Sequence, residues 1–213
     1  MTEYLCSTEV IDSNHQAVLN FVERFQDESD ERLQIVALYQ AVRDEFFYDP
    51  FGINVTPSEQ QASKLVAQGK GHCIDKALFF IACARALKIP ARLGLAKVKN
   101  HIGTAKFEQI IQSNVLVPHG YAEVFVNEQW LKCTPAFNKS LCQKLGVEAL
   151  EFDGVNDSVF QAYTSNGVAF MEYIEDYGTF SHFPLDFIIE LLQEHYPHLF
   201  QEDGTLDHEK FKL

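Results

Sequence analysis

The most informative pattern of the sequence lies in residues 69–92, which read GKGHCIDKALFFIACARALKIPAR. The two glycines that open this stretch allow the backbone to bend sharply. From Cys73 to Leu87, apolar side chains cover most of a helical surface, and Pro90 then ends the pattern. We therefore predict a buried helix over Cys73–Leu87 that begins at a cysteine.

Cys73 would occupy the N-terminus of this helix. Unpaired backbone N–H groups and the positive end of the helix dipole lie at such a terminus, and both stabilise a thiolate. The pKa of Cys73 should therefore fall below that of a free cysteine, which would make the thiolate a nucleophile at neutral pH. We also expect the same N–H groups to hold an oxyanion.

The charge of the chain is unevenly distributed. The net charge is −13, yet residues 58–110 contain nine Lys and Arg against three Asp and Glu. One interpretation is an ordinary solvated surface. The other is that these cations surround Cys73, favour its thiolate and suit a substrate that carries a carboxylate. The overall acidity argues against binding to a nucleic-acid backbone.

The patterns on either side of the helix predict an α+β fold, with helices first and an antiparallel sheet after them. The predicted helices begin after Asp12 and cover about Glu31–Phe47, Ser58–Ala67, Phe107–Ser113, Lys139–Leu145 and Pro184–His195, and the predicted strands are Ala91–Val98, Gly120–Val126, Gln129–Cys133 and Val168–Tyr173. We expect residues 1–213 to form one domain, with an N-terminal helical part (1–58), a core (60–138) and a C-terminal elaboration (139–213).

A base for the thiol has to come from a distant part of the chain. His119 stands at the entrance of the predicted strand 120–126, and a strand packed on the Cys73 helix would hold its imidazole against the sulfur. Thr134 follows fifteen residues later, after the hairpin. A third group at that place would orient the imidazole, as in a catalytic triad.

Together these motifs resemble those of the transglutaminase-like superfamily. The resemblance rests on Gly71-His72-Cys73 with Ala77, on residues 84–92, on His119 with Glu123 and Val124, and on Trp130 with Thr134-Pro135. It implies a papain-like fold and a Cys-His-Asp triad, in a family of transglutaminases, cysteine proteases, peptide amidases, glycanases and inactive scaffolds. Cys73 and His119 match its nucleophile and base, whereas Thr134 occupies the position usually held by Asp.

The third position and the substrate contacts have more than one interpretation. Thr134 accepts a hydrogen bond but carries no charge, so it would stabilise the imidazolium less than a carboxylate, by about 1–3 kcal/mol. It is otherwise an ordinary strand hydroxyl, and Asp153 or Asn138 are the alternatives. His72 either lines the substrate cleft or only caps the helix. His101 either contacts substrate or lies on a surface loop.

Two functions follow from these residues. The first is a thiol enzyme that hydrolyses an amide or transfers its acyl group, with a protein, peptide or small amide as substrate and without a cofactor or metal. The second is a binding module that keeps the fold and has lost the chemistry, which Thr134 favours. The five cysteines form no CxxC pair, and no secretory signal or transmembrane segment is visible. We therefore expect a reduced, cytoplasmic protein that binds neither nucleic acid nor membrane.

Overall fold

The computed structural model describes residues 1–51, 55–101 and 105–211. Its helices are α1 (Gln16–Val22), α2 (Glu31–Glu45), α3 (Lys64–Gln68), α4 (Cys73–Ala86), α5 (Ala105–Ile111), α6 (Lys139–Leu145) and α7 (Leu185–His195), and its strands are β1 (Phe47–Tyr48), β2 (Lys70–Gly71), β3 (Ala91–Asn100), β4 (Val115–Val126), β5 (Gln129–Cys133) and β6 (Met171–Phe180). This order confirms the predicted α+β class. Within the described ranges, every helix is too short or too polar to cross a membrane.

The main sheet is antiparallel, with the strand order β5-β4-β3-β6. Strands β4 and β5 form the predicted hairpin. Its two turn residues, Asn127 and Glu128, have φ values of 50° and 64°, as a tight turn between twisted strands requires. Strand β6 adds to the other edge of β3, so the C-terminal part of the chain completes the sheet.

Helix α4 forms the centre of the core, because α1 and α2 pack on one side of it while β3 and β4 pack on another. Every residue from Ala77 to Ala84 is fully shielded from solvent. The predicted buried helix that begins at Cys73 is therefore confirmed, although it ends at Ala86 rather than at Leu87.

The buried side chain of Arg85 in α4 forms hydrogen bonds with one segment from the N-terminal part of the chain and one from the C-terminal part. The guanidinium of Arg85 donates hydrogen bonds to the carbonyl oxygen of Ala91, where β3 begins. It also donates at 2.7 Å to the carbonyl oxygens of Cys6 and Ser181. A buried guanidinium is tolerated where its donors are satisfied in this way.

The strand that carries His119 begins earlier than the sequence suggested. We predicted that β4 starts at Gly120 and that His119 stands at its entrance, but the strand starts at Val115 and His119 lies within it, opposite Ala96. Pro118 lies within this strand although proline lacks the N–H that a ladder uses. It is accommodated because the pairing of β3 with β4 shifts register at this point.

Two other predicted boundaries also change. The helix predicted from Ser58 begins only at Lys64, because residues 56–63 form turns, and the N–H of Ser63 is bound by the Asp12 carboxylate at 3.0 Å. The strand predicted over 168–173 runs instead over Met171–Phe180, since it follows β3 along most of its length.

Candidate active site

The backbone that leads into Cys73 is held by the two-residue parallel ladder of β1 and β2. Gly69 ends α3 in the left-handed conformation, with a φ of 67°, which glycine adopts without strain. Gly71 pairs with Tyr48, and a Cβ on it would lie 2.8 Å from the Cβ of Asp75. The first glycine is therefore needed for the turn and the second for the close approach.

His72 caps the helix that Cys73 begins. Its Nδ1 accepts hydrogen bonds from the N–H groups of Ile74 at 3.1 Å and Asp75 at 3.4 Å, and the Asp75 carboxylate accepts the N–H of His72 at 3.0 Å. His72 also lines the cleft beside Cys73, so the same side chain caps the helix and faces this cleft. Two of the N–H groups that we expected to hold an oxyanion are therefore occupied by His72.

The protonation of His72 is subject to opposing influences. Burial disfavours the imidazolium, whereas the Asp75 carboxylate and the Cys73 sulfur favour it, and together they raise the pKa of His72 to about 9. The cap opposes this rise, because Nδ1 accepts hydrogen bonds only while it carries no proton. An intact cap therefore requires the neutral ring with its hydrogen on Nε2, which lies 3.6 Å from the Asp75 carboxylate.

Strand β4 brings His119 and Gly120 to the first turn of α4. The N–H of Gly120 donates to the Sγ of Cys73 at 3.4 Å. A Cβ on Gly120 would lie 2.6 Å from the Cγ1 and 2.9 Å from the Cα of Ile74, so a residue with a side chain would push the strand away. Glycine at this position is what allows the strand to contact the nucleophile helix so closely.

The surroundings of Cys73 favour its thiolate. Burial opposes ionisation, but His119 and then His72 outweigh it and hold the pKa of Cys73 well below its ordinary value. Burial instead raises the pKa of the other buried thiols, Cys83, Cys133 and Cys142. Cys73 is therefore the buried cysteine that ionises most readily.

His119 and Thr134 line the same small cavity, but no hydrogen bond joins their side chains. His119 is 3% exposed and Thr134 is 5% exposed. Among the described residues, neither ring nitrogen of His119 and neither lone pair of the Thr134 Oγ1 has a hydrogen-bond partner. His119 thus acts on Cys73 through its charge, without an aligned N–H···S bond. The volume of this cavity is about 10 Å³, which is enough for one water molecule.

The two alternatives for the third position are engaged elsewhere. The Asp153 carboxylate is exposed and accepts N–H groups of its own loop at 2.8 Å. Asn138 is buried, but its amide accepts the N–H of Tyr48 at 3.1 Å and donates to Ser140 at 2.7 Å. Neither side chain hydrogen-bonds the imidazole of His119.

His101 lies away from this site. Its Nε2 is 3.2 Å from the carboxylate of Glu172, and its side chain lines a different surface hollow beside Phe160 and Tyr173. The alternative of a surface position therefore fits the structure better than contact with a substrate at Cys73.

An apolar cleft that is open to solvent leads to Cys73 and has a cavity volume of about 60 Å³. Its walls come from α5, the start of β4 and the C-terminal segment around α7. This C-terminal contribution was not predicted, because α7 lies more than a hundred residues from Cys73 and has no motif that points to it. Of the two interpretations of the basic segment, the structure does not support cations around the substrate cleft, since none of the described residues that line it is Lys or Arg.

Comparison with known proteins identifies the family of this chain. The model of the transglutaminase-like superfamily matches residues 20–135, more than half of the chain, and the chain therefore belongs to this superfamily. A crystal structure of a candidate cysteine protease from Cytophaga hutchinsonii resembles it with a TM-score of 0.49 and 16% identity, over 83% of this chain and 53% of that one. The chain thus spans about half the length of that structure. No curated protein sequence matches it.

Proposed function

We propose that the protein is a thiol enzyme that attacks an amide, with Cys73 as the nucleophile and His119 as the general base. The observation that carries this proposal is the buried Cys73 thiol at the start of α4, whose pKa is lowered by His119 and whose sulfur accepts the N–H of Gly120. A thiolate paired with an imidazolium is the resting form that such chemistry needs. Membership of the transglutaminase-like superfamily supports the same assignment.

The reaction divides into two halves. The Cys73 thiolate attacks the amide carbonyl carbon, and the imidazolium of His119 gives its proton to the nitrogen as the C–N bond breaks. The amine leaves and the acyl group remains as a thioester on Cys73. A water molecule, or an amine in acyl transfer, then gives a proton to His119 and attacks the thioester, which releases the acid or the new amide and restores the thiolate.

The direct test is to trap the thioester with an activated substrate. N-acetyl-leucine 4-nitrophenyl ester should release 4-nitrophenol in a burst and add one acyl group at Cys73, as seen by intact mass and peptide mapping. Cys73→Ala should show neither. Adding hydroxylamine should divert product to the hydroxamate, because an amine competes with water for the thioester. Acylation of the exposed Cys6 alone would count against the proposal.

The alternative, a binding module without catalysis, is favoured by one observation. Among the described residues, no carboxylate hydrogen-bonds the imidazole of His119, so the imidazolium lacks the partner that orients it in a triad. On this alternative, the wild type and Cys73→Ala would release 4-nitrophenol at the same slow rate. The ester experiment therefore separates the two functions.

We propose further that Thr134 positions His119 through a water molecule held in the cavity that both side chains line. Thr134→Val removes the hydroxyl at nearly constant shape and should lower kcat/KM for the ester about tenfold, since a water-mediated hydrogen bond is worth roughly 1 kcal/mol or slightly more. Thr134→Ser keeps the hydroxyl and should retain most of the activity. Loss of activity in Thr134→Ser together with full activity in Thr134→Val would show that only the packing of the Thr134 methyl group matters.

A further inference from the structure

We infer that the site selects amide substrates whose acyl part places a neutral apolar side chain in the cleft beside Cys73. This inference rests on the proposed function of Cys73 as a nucleophile and adds the class of substrate to it. It is carried by the composition of the cleft walls, by the way these walls are fixed, and by the side of the sulfur on which the cleft lies.

The first wall is built by the C-terminal part of the chain. Ile188 and Leu192 of α7 line the cleft, together with Tyr196 directly after that helix. The Tyr196 hydroxyl donates to the carbonyl of Val115 at 2.6 Å and accepts the N–H of Val117 at 2.8 Å. These bonds attach the wall to the strand that carries His119, so it has a defined position relative to the reacting groups.

The opposite side of the cleft is also apolar. Phe107 and Ile111 of α5 contribute to it, and Leu116 of β4 adds a third aliphatic or aromatic surface. Polar atoms come from tyrosines, from Gln60 and from the His72–Cys73 pair, and His72 already binds two backbone N–H groups through Nδ1. None of the described lining residues is Asp, Glu, Lys or Arg.

A charged substrate group would therefore lose its hydration in this cleft without gaining a partner, whereas an apolar group gains from leaving water. The basic residues of the segment 58–110 do not provide such a partner, because their charges are engaged at other places, as two ion pairs illustrate. Arg92 lies 2.6 Å from the Glu123 carboxylate, and Lys70 lies 2.7 Å from that of Asp49. The carboxylate-bearing substrate that the charge pattern favoured thus has no cation to meet it here.

The position of the cleft indicates which half of the amide it receives. Cys73 lines this cleft, whereas His119 lines the separate cavity that contains Thr134. The leaving amine has to be near His119, because it takes its proton from the imidazolium. The group in the cleft is therefore the one that stays bonded to sulfur, the side chain of the acyl part.

The test compares acetyl-aminoacyl chloromethyl ketones, in which the thiolate displaces chloride and forms a C–S bond. Each inactivation rate at Cys73 is divided by the rate with iodoacetamide, which has no side chain. The Leu and Phe ketones should exceed the Glu and Lys ketones at least about tenfold, as expected for a site that discriminates by apolar contact. An octanoyl chloromethyl ketone distinguishes two kinds of apolar acyl group. A site for peptides should react faster with the Leu ketone, and a site for fatty acyl groups should react faster with the octanoyl ketone.

A variant links the selectivity to the cleft. Leu192→Ala should lower the ratio of Leu ketone to iodoacetamide rates about tenfold, by loss of apolar contact. Leu191→Ala is the matched control, because Leu191 is buried in the same helix but does not line the cleft, and its ratio should stay as in the wild type. If Leu192→Ala fails to fold, the wild-type series alone decides.

The outcomes separate the two proposals. Fast reaction of Cys73 with iodoacetamide but equal or faster reaction of the Glu or Lys ketones would overturn the apolar selectivity and leave the thiol enzyme intact. Slow reaction of Cys73 with every reagent would overturn the proposed function and the substrate class with it.

Discussion

Replacement of His119 by Asn is expected to remove the rapid alkylation of Cys73 by iodoacetamide at pH 6. In the wild type, His119 is the largest influence that lowers the pKa of Cys73 against the cost of burial. Without it, burial raises the pKa toward that of the other buried thiols. Each pKa unit changes the thiolate fraction about tenfold when pH lies below the pKa, so the rate at pH 6 should fall at least about tenfold.

The pH profile gives a sharper signature than the rate at one pH. The pKa of Cys73 is held well below its ordinary value, so its alkylation rate should level off at a lower pH than that of a free thiol. The rate of His119→Asn should keep rising beyond the ordinary thiol pKa of about 8.5. Above that pH, the variant should overtake the wild type, because a more basic thiolate is the stronger nucleophile.

The chain contains its own reference for this experiment. Cys6 is exposed and lies in a different part of the molecule, so its alkylation, followed by peptide mapping of the same sample, corrects for reagent and pH. His15→Asn is a suitable control, since it removes an exposed histidine that caps α1 and not the one beside Cys73. Parallel pH profiles for the wild type and His119→Asn would show that the imidazole does not act on the sulfur.

The sequence predicted those parts of the site that depend on local patterns. A glycine pair, a cysteine and an apolar run suffice to place Cys73 at a helix N-terminus, because helix caps are determined by residues within a few positions. His119 was selected by its place at a predicted strand and by the family resemblance, since nothing local relates it to Cys73. The role of Gly120 was not predicted, because it follows from the distance between β4 and the Ile74 backbone.

Other features of the site depend on distances that no pattern in one chain encodes. Thr134 lines the same cavity as His119, yet whether a hydroxyl and an imidazole are bonded or separated by a water depends on a shift of an ångström or two. The nine cations of residues 58–110 are close in sequence, but the fold separates them, and two of them, Lys76 and Arg85, are buried. The cleft wall that α7 contributes depends on where the C-terminal segment packs on the core. That position is determined by strand pairing such as that of β6 with β3.

Lys76→Met is expected to destabilise the protein by about 3 kcal/mol or more, because it leaves three buried carbonyl groups without a donor. The Nζ of Lys76 donates to the carbonyl oxygens of Arg43 at 2.8 Å, Phe46 at 2.8 Å and Ala136 at 2.7 Å. The side chain has no exposed surface. The sequence contained a signal for this residue, which is one of two cations within a mostly apolar helix.

The charge of Lys76 is part of the same arrangement. Burial lowers the pKa of Lys76 to about 7, whereas the three carbonyl oxygens favour the ammonium, because only the ammonium has three N–H donors. Urea unfolding should therefore be measured at pH 6, where the protonated form predominates. Lys64→Met is the control: Lys64 is partly exposed and pairs with Glu59 on the surface at 2.8 Å, so its loss should cost less than about 1 kcal/mol.

The position of these carbonyls connects the stability of Lys76 to the reactivity of Cys73. Lys76 lies one helical turn after Cys73, and Ala136 lies two residues after Thr134, so the ammonium holds the nucleophile helix against the segment that lines the His119 cavity. Any Lys76→Met protein that remains folded should therefore alkylate Cys73 more slowly at pH 6 than the wild type, since the first turns of α4 are no longer held against the segment at Ala136 that lines the His119 cavity. A variant as stable and as reactive as the wild type would show that water replaces the ammonium at the three carbonyls.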